Sequence, residues 1–146
     1  VVLEPIVKLA LAEDLGVAGD VTTDALIDPE TQGRWALRAR EAGVVAGLDA
    51  AILAGAMIDP DLAFTIRAPD GARVKTGDTI MEIEGAARSM LMAERTMLNF
   101  IGRLSGIATL TEGSDDVRDC TAGDRDQQRA GAARARPLVR RQKLVA

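Results

Sequence analysis

A long stretch of helical periodicity, from about residue 87 to residue 109, constrains the fold of this chain more than any other feature. Large apolar side chains recur in it at the spacing expected for one face of an α-helix. They are Met90, Leu91, Met97, Leu98, Ile101, Leu104 and Ala108. This stripe predicts a long amphipathic helix that packs along its length against the rest of the domain.

Polar side chains lie on the other face of the predicted long helix. Arg95 and Asn99 are one helical turn apart, and Arg88 precedes them on the same side. An arginine and an amide placed in this way can hold a planar carboxylate. The periodicity alone favours an ordinary solvated face, so a binding role needs further support.

Two shorter helices are predicted in the rest of the chain. The first covers residues 4–15 and the second covers residues 48–58, where Asp59 and Pro60 end it. Amphipathic patterning predicts particular side chains to face inward. They are Ile6, Leu9, Ala10 and Leu11 in the first helix and Ile52, Leu53, Ala56 and Met57 in the second.

Strand patterns fill most of the remaining sequence. Residues 33–40 alternate, with Trp35, Leu37 and Ala39 on one side, and residues 62–67 and 79–84 alternate in a similar way. Val74 is placed in a short strand, and residues 19–28 are predicted to be turn-rich. We therefore predict an α+β fold, with an antiparallel sheet covered on one face and a long helix at the end of the domain.

Composition excludes several classes of function. The net charge is −4, which argues against a nucleic-acid surface, and one Trp, two Phe and no Tyr leave few platforms for stacking bases. The absence of histidine excludes Ser-His and Cys-His catalysis, and with a single cysteine it argues against a zinc site. No stretch is apolar enough for a membrane span, so a cytoplasmic setting is the default expectation.

The order of residues in the long helix adds a specific signal. The run A-E-R-T-x-L-N-F-I-G-R-L-S-G-I-A-T at residues 93–109 closely resembles the signature helix of quinolinate phosphoribosyltransferases. Three more blocks resemble that family in the same order. They are L-A-E-D-L-G with G-D-V-T-T at residues 11–23, R-E-A-G-V-V-A-G-L at residues 40–48, and D-G-A-R-V-K-T-G-D at residues 70–78.

This resemblance implies an enzyme that joins quinolinate to phosphoribosyl diphosphate with Mg²⁺ and releases pyrophosphate and CO₂. The product is nicotinate mononucleotide, used in NAD biosynthesis. It also implies a homodimer in which the arginine of the A-E-R motif, Arg95 here, reaches into the active site of the neighbouring subunit. Arg95 is therefore the predicted substrate-binding residue, and no catalytic residue or metal ligand is predicted in this chain.

The resemblance ends after Thr111. The family pattern would continue into a D-T-R-K-T block and a block with histidine, both in an incomplete parallel α/β barrel, and neither block is present. We predict that residues 1–111 form the N-terminal domain of this family and that residues 112–146 are an aberrant or poorly ordered tail. A truncated or frame-shifted product, or an error in the sequence, explains this better than a stand-alone domain, and such a chain would be inactive.

Other interpretations are open at this point. The chain could belong to a related member of the superfamily, such as a paralogue associated with molybdate transport, or it could be a non-catalytic dimerising domain. Residues 70–84 also resemble half of a biotinyl or lipoyl carrier barrel, but the next lysine after Gly77 is Lys143, so the carrier function fails.

Three further candidates receive ordinary structural interpretations. Arg40 is predicted to be an exposed charge on a strand-ending turn. The pair Asp115 and Asp116 lacks the apolar strand that precedes a phosphoribosyl-diphosphate loop, so a solvated turn is predicted. Cys120, in a charged and irregular segment, is interpreted as incidental.

Overall fold

The fold was analysed in a computed structural model that describes residues 2–15, 28, 30–115 and 139–143. Its elements, in chain order, are α1 (Leu3–Leu15), β1 (Gln32–Ala39), β2 (Gly43–Val44), α2 (Leu48–Ile58), β3 (Ala63–Ile66), β4 (Arg73–Val74), β5 (Thr79–Ala86), α3 (Ala87–Asp115) and β6 (Val139–Lys143). The predicted mixture of helices and antiparallel sheet, with a long helix after the main strands, is confirmed. The turn-rich prediction for residues 19–28 lies outside the described residues, apart from Asp28.

Four strands form one antiparallel sheet in the order β3-β5-β1-β6. The longest pairing joins β1 to β5, from Gln32 opposite Ala86 to Arg38 opposite Thr79, and its register skips Ile80. Ile80 therefore forms a β-bulge, which bends the strand and strengthens its twist. Strands β2 and β4 form a separate two-stranded ladder beside the sheet.

Strand β6 was not predicted from the sequence. It lies within the segment interpreted as an aberrant tail, yet it pairs with β1 from Lys143 opposite Trp35 to Val139 opposite Ala39. Helix α3 likewise continues past Thr111 as far as Asp115. These two parts of the tail are thus built into the domain, and the predictions for Asp116 and Cys120 lie outside the described residues.

The core lies between the sheet and the three helices. Its largest fully buried side chains come from α1, β5, α3 and the loop after β2, and they are Val7, Val45, Ile80, Met81, Met90, Thr96, Met97 and Ile101. Trp35, Leu37 and Ala39 of β1 are also buried, as their alternation predicted. The core therefore has almost no aromatic content, and it depends on methionine and branched aliphatic residues to fill space.

Two predictions of inward faces on the shorter helices were wrong in detail. In α1, Leu11 is buried as predicted, together with Val7, whereas Ile6 is 51% exposed and Leu9 is 72% exposed. In α2 the deeply buried residues are Leu48 at its first position and four small residues, Ala50, Ala51, Ala54 and Gly55. Helix α2 packs closely on its neighbours through these small residues, so its larger side chains lie at the edges of the contact.

The stripe of α3 was predicted more accurately. Met90, Met97 and Ile101 are buried, and Leu91 and Leu98 flank them in half-buried positions. Leu104 is exposed instead, because the burial pattern of the helix continues through Ser105. A polar serine at a core position indicates a specific hydrogen-bonding role.

Candidate functional site

A groove of about 480 Å³ lies between α1 and α3, on the polar side of the long helix. Helix α1 contributes Ala10, Glu13 and Asp14 to its lining. Helix α3 contributes Arg95, Thr96, Asn99, Phe100, Arg103, Leu104 and Ile107. The lining combines apolar side chains with charged and amide groups, which is the usual composition of a small-molecule site.

Arg95 and Asn99 both line this groove, as their spacing on the helix predicted. Arg103 is the third polar residue on the same face, a further turn along α3. Arg103 belongs to the family motif at residues 93–109, but it was not predicted as a binding residue. The signal that could have found it is the regular four-residue interval from Arg95 through Asn99.

The Arg95 side chain is 78% exposed, and its Nε atom lies 3.5 Å from Oδ1 of Asp14. Its guanidinium group is thus available to a ligand while one edge faces a carboxylate. This geometry is compatible with the solvated arginine of the simpler interpretation and with a binding role. Its place on the rim of a groove favours binding.

Asp14 joins the two helices that form the groove. Its Oδ2 atom accepts a hydrogen bond of 2.6 Å from the hydroxyl of Thr96, and Thr96 is only 1% exposed. In the sequence, Asp14 is one of two adjacent acidic residues at the end of the first predicted helix, and nothing there indicates its partner on α3. Because the two residues are 82 positions apart, no local pattern could indicate the contact.

Two hydroxyl groups of α3, one buried and one half-buried, fix β2 and the residues that follow it. Ser105 Oγ accepts a hydrogen bond from Ala46 N at 2.9 Å and donates one to Ala46 O at 3.2 Å. Thr109 Oγ1 accepts from Val44 N at 2.9 Å. These contacts explain why the motif has a serine and a threonine four residues apart: they hold the chain beside the helix.

The N-terminus of α2 is capped from a distant turn. Both carboxylate oxygens of Asp70 accept hydrogen bonds of 3.2 Å, from Gly47 N and Leu48 N. The negative charge also suits the positive end of the helix dipole. The block at residues 70–78 therefore contains a structural carboxylate.

The hairpin around β4 has two tight turns, each with a glycine in the left-handed region. Gly71 has φ +85° and Gly77 has φ +94°, and both turns are closed by backbone hydrogen bonds, Ala72 N to Pro69 O at 3.0 Å and Asp78 N to Lys75 O at 3.1 Å. Arg40 lies in an exposed bend after β1, in agreement with its ordinary interpretation. Neither feature belongs to the groove.

An ion cluster stabilises the outer face of the sheet, away from the groove. Glu82 Oε2 lies 2.8 Å from Arg34 Nη2 and 3.0 Å from Arg67 Nη2. Hydrogen bonds from these two arginines lower the pKa of Glu82 below its ordinary value, since they favour the ionised carboxylate. The same contact, with a contribution from Glu84, raises the pKa of Arg34.

The described residues contain neither a cluster of metal ligands nor a helix that could span a membrane. Within these ranges no group of three or more His, Cys, Asp or Glu side chains could hold a metal ion. Likewise, none of the helices in the described part of the chain is both long and apolar enough to cross a membrane.

Comparison with known proteins gives one consistent result. Residues 20–105 match the family model for the N-terminal domain of quinolinate phosphoribosyl transferase. Quinolinate phosphoribosyltransferase 1b of Nicotiana tabacum is 40% identical over 115 residues, covering 79% of this chain and 33% of that protein. The carboxylating nicotinate-nucleotide pyrophosphorylase of Mycobacterium leprae is 38% identical over 126 residues, covering 84% and 44%.

Solved structures agree with the sequence relatives. The crystal structure of NadC from Streptococcus pyogenes has a TM-score of 0.72 at 39% identity and covers 75% of this chain and 39% of that one. The nicotinate-nucleotide pyrophosphorylase from Francisella tularensis gives 0.71 at 34% identity, with 75% and 38% covered.

An α+β domain that ends in a long helix is thus the unit shared with these proteins. The chain belongs to the quinolinate phosphoribosyltransferase family, as the sequence blocks predicted. It spans 33% and 44% of the length of the two sequence relatives named above.

Proposed function

We propose that this chain provides the N-terminal domain of a quinolinate phosphoribosyltransferase and that its groove contributes to the binding of quinolinate. In the complete reaction, quinolinate and phosphoribosyl diphosphate give nicotinate mononucleotide, pyrophosphate and CO₂. The observation that carries the proposal is the position of Arg95, which lies in the family motif and on the rim of the groove. A related protein of molybdate transport is less favoured, because the relatives are named as enzymes of quinolinate.

The chemistry of the groove suits a planar dicarboxylate. The guanidinium group of Arg95 is a planar fork that matches a carboxylate, and Asn99 adds an amide donor one turn further on. Phe100 and Ile107 supply apolar surface for a flat ring. Glu13 and Asp14 balance part of the positive charge, so anion binding depends on the local arginines and not on the overall field, given the net charge of −4.

A titration of the purified chain with quinolinate, followed by NMR, tests this proposal. We expect shifts along residues 95–107 and a loss of affinity of about 5- to 10-fold in Arg95→Ala, because a charge-assisted hydrogen bond at an exposed site contributes about 1 to 1.5 kcal/mol. Arg95→Lys should restore part of the affinity, since lysine keeps the charge but not the planar fork.

Arg40→Ala is the matched control, since Arg40 is also an exposed arginine but does not line the groove. Its affinity for quinolinate should equal that of the wild type within error. An absence of shifts in the groove would refute the proposal, as would equal effects of Arg95→Ala and Arg40→Ala.

Three further properties are proposed from the family resemblance. They are a homodimer, a cytoplasmic location and a requirement for Mg²⁺ in the complete reaction. The described residues do not form a magnesium site, so no step of the reaction is assigned to a metal here. Exposed apolar side chains on α3, at Leu104, Ile107 and Leu110, support self-association, which sedimentation velocity at tens of micromolar would measure.

A further inference from the structure

Binding of a ligand by Arg95 costs side-chain conformational entropy. Its side chain is long and mostly exposed, so a free arginine here would sample many rotamers and would have to be ordered each time a ligand binds. Ordering such a side chain reduces affinity measurably. The structure shows a group that reduces this loss.

The group is the carboxylate of Asp14. Its side chain is only 18% exposed, and Oδ1 faces Nε of Arg95 at 3.5 Å. The other oxygen, Oδ2, accepts the 2.6 Å hydrogen bond from Thr96, whose hydroxyl is buried where α1 packs on α3. Asp14 is therefore held in one orientation by a residue that is itself fixed in the core.

The direction of the contact also matters. Because Asp14 approaches the Nε side of the guanidinium group, its contact does not occupy the two terminal nitrogens. Those nitrogens form the end-on fork that binds both oxygens of a carboxylate. A carboxylate at the base of the arginine thus orients the fork toward the groove.

We propose that Asp14 is a positioning residue for Arg95, and that Thr96 fixes Asp14 in turn. This inference rests on the proposed function, since it assigns the oriented arginine to quinolinate. Asp14 does not touch the substrate in this assignment. Its effect is to present Arg95 in the conformation that binds.

Two adjacent carboxylates allow the proposal to be tested by the direction in which quinolinate affinity changes. Glu13 and Asp14 are adjacent and both line the groove, so Glu13→Gln and Asp14→Asn remove the same charge from the same wall. If charge alone mattered, both variants would bind the quinolinate dianion more tightly, because repulsion falls. Positioning predicts instead that Asp14→Asn binds about three- to tenfold more weakly, while Glu13→Gln, which only reduces the repulsion, binds more tightly.

The experiment measures quinolinate affinity by NMR titration for five proteins. They are the wild type, Asp14→Asn, Glu13→Gln, Arg95→Ala and the double variant Asp14→Asn/Arg95→Ala. We expect Asp14→Asn to weaken binding only when Arg95 is present. Urea unfolding of each protein separates loss of stability from loss of positioning. If Asp14→Asn lowers affinity equally with and without Arg95, or matches Glu13→Gln, the proposal is wrong.

A ligand-free readout keeps the two proposals distinguishable. The Arg95 Nε–H signal should show restricted rotation of the guanidinium group in the wild type and free rotation in Asp14→Asn. Should quinolinate fail to bind the wild type, the proposed function falls, while an unchanged Nε–H signal in Asp14→Asn overturns the positioning role by itself. Thr96→Val removes only the hydroxyl donor to Asp14, so it should partly free the rotation of the Arg95 guanidinium group. This variant replaces Asp14→Asn if Asp14→Asn does not fold.

Discussion

Gly47 allows the chain to pass very close to helix α3 immediately before α2 begins. Its φ angle is +96°, in the left-handed region that favours glycine. A Cβ atom at this position would lie 2.7 Å from Cδ1 of Leu104 and 3.2 Å from the carbonyl oxygen of Phe100. The backbone conformation therefore favours glycine here, and a side chain would also have to displace Leu104 and crowd the carbonyl oxygen of Phe100.

We expect Gly47→Ala to lower the free energy of unfolding by about 2 to 4 kcal/mol, combining left-handed strain with overpacking against α3. Gly71→Ala is the matched control, because Gly71 has φ +85° but no atom lies within 4 Å of its Cβ position. That variant should lose only about 1 to 2 kcal/mol. Urea unfolding of both proteins checks the difference, and equal losses would show that contact with α3 contributes nothing.

Single residues also show how far sequence reasoning reaches. Arg95 could be singled out because a family motif marked it, and helical spacing placed Asn99 beside it. Asp14 and Thr96 could not be paired, since their contact depends on how α1 crosses α3. The capping role of Asp70 could not be predicted either, because the helix that it caps begins 22 residues earlier in the sequence.

At the scale of elements, α3 and the segment after β2 are joined by side-chain hydroxyls. Removal of the Ser105 hydroxyl leaves both the N–H and the carbonyl of Ala46 without this partner. We expect Ser105→Ala to cost about 1 to 3 kcal/mol of stability, the usual penalty for unsatisfied buried polar groups. Faster amide exchange at Ala46 would locate the effect.

Thr111→Val provides the comparison for this prediction. The Thr111 hydroxyl donates to Ile107 O within the same helix, at an exposed position. Its removal should change the free energy of unfolding by less than about 0.5 kcal/mol. A loss in Thr111→Val as large as that in Ser105→Ala would contradict a role for Ser105 in joining the two segments.

The ion cluster on the sheet gives a dependence on pH. Because the pKa of Glu82 is lower in the folded protein, its ionised form stabilises the fold above the unfolded value of about 4.5. This contribution should decline as pH falls below 4.5 through the folded pKa. We expect the stability difference between the wild type and Glu82→Gln to be largest near neutral pH and to vanish in acid.

Carboxyl NMR titration measures the pKa of Glu82 directly. Arg67→Ala, which removes one of the two arginine partners, should move that pKa part of the way back toward 4.5. A Glu82 pKa at or above 4.5 in the wild type would contradict the effect of the cluster.

Element types were predictable because periodicity and turn residues define them locally. The faces of α1 and α2 were harder, since burial depends on which neighbours pack against them. Helix α2 buries alanines and a glycine and leaves Ile52 and Leu53 only partly covered, the reverse of what hydrophobicity alone suggests. Strand β6 was missed because residues 139–143 read V-R-R-Q-K, without an apolar alternation.

At the scale of the whole molecule, the groove offers few of the groups that the proposed reaction would require. The groove supplies Arg95, Asn99 and Arg103, and the sequence contains no histidine. The described residues also lack a group of acidic side chains able to hold a metal. The relatives named above are more than twice as long as the matched segments, which cover 33% and 44% of them.

We therefore expect the purified chain by itself to form no measurable nicotinate mononucleotide from quinolinate and phosphoribosyl diphosphate. Removal of one positioned donor often lowers kcat by about 10² or more, so a domain with only part of the required groups should fall below detection. The full-length Mycobacterium leprae relative, assayed alongside by chromatography of the product, is the positive control. Binding without turnover would agree with a domain that holds quinolinate but does not activate the phosphoribosyl donor. Turnover above the buffer rate, abolished by Arg95→Ala, would instead show that the residues sufficient for the chemistry lie within this chain.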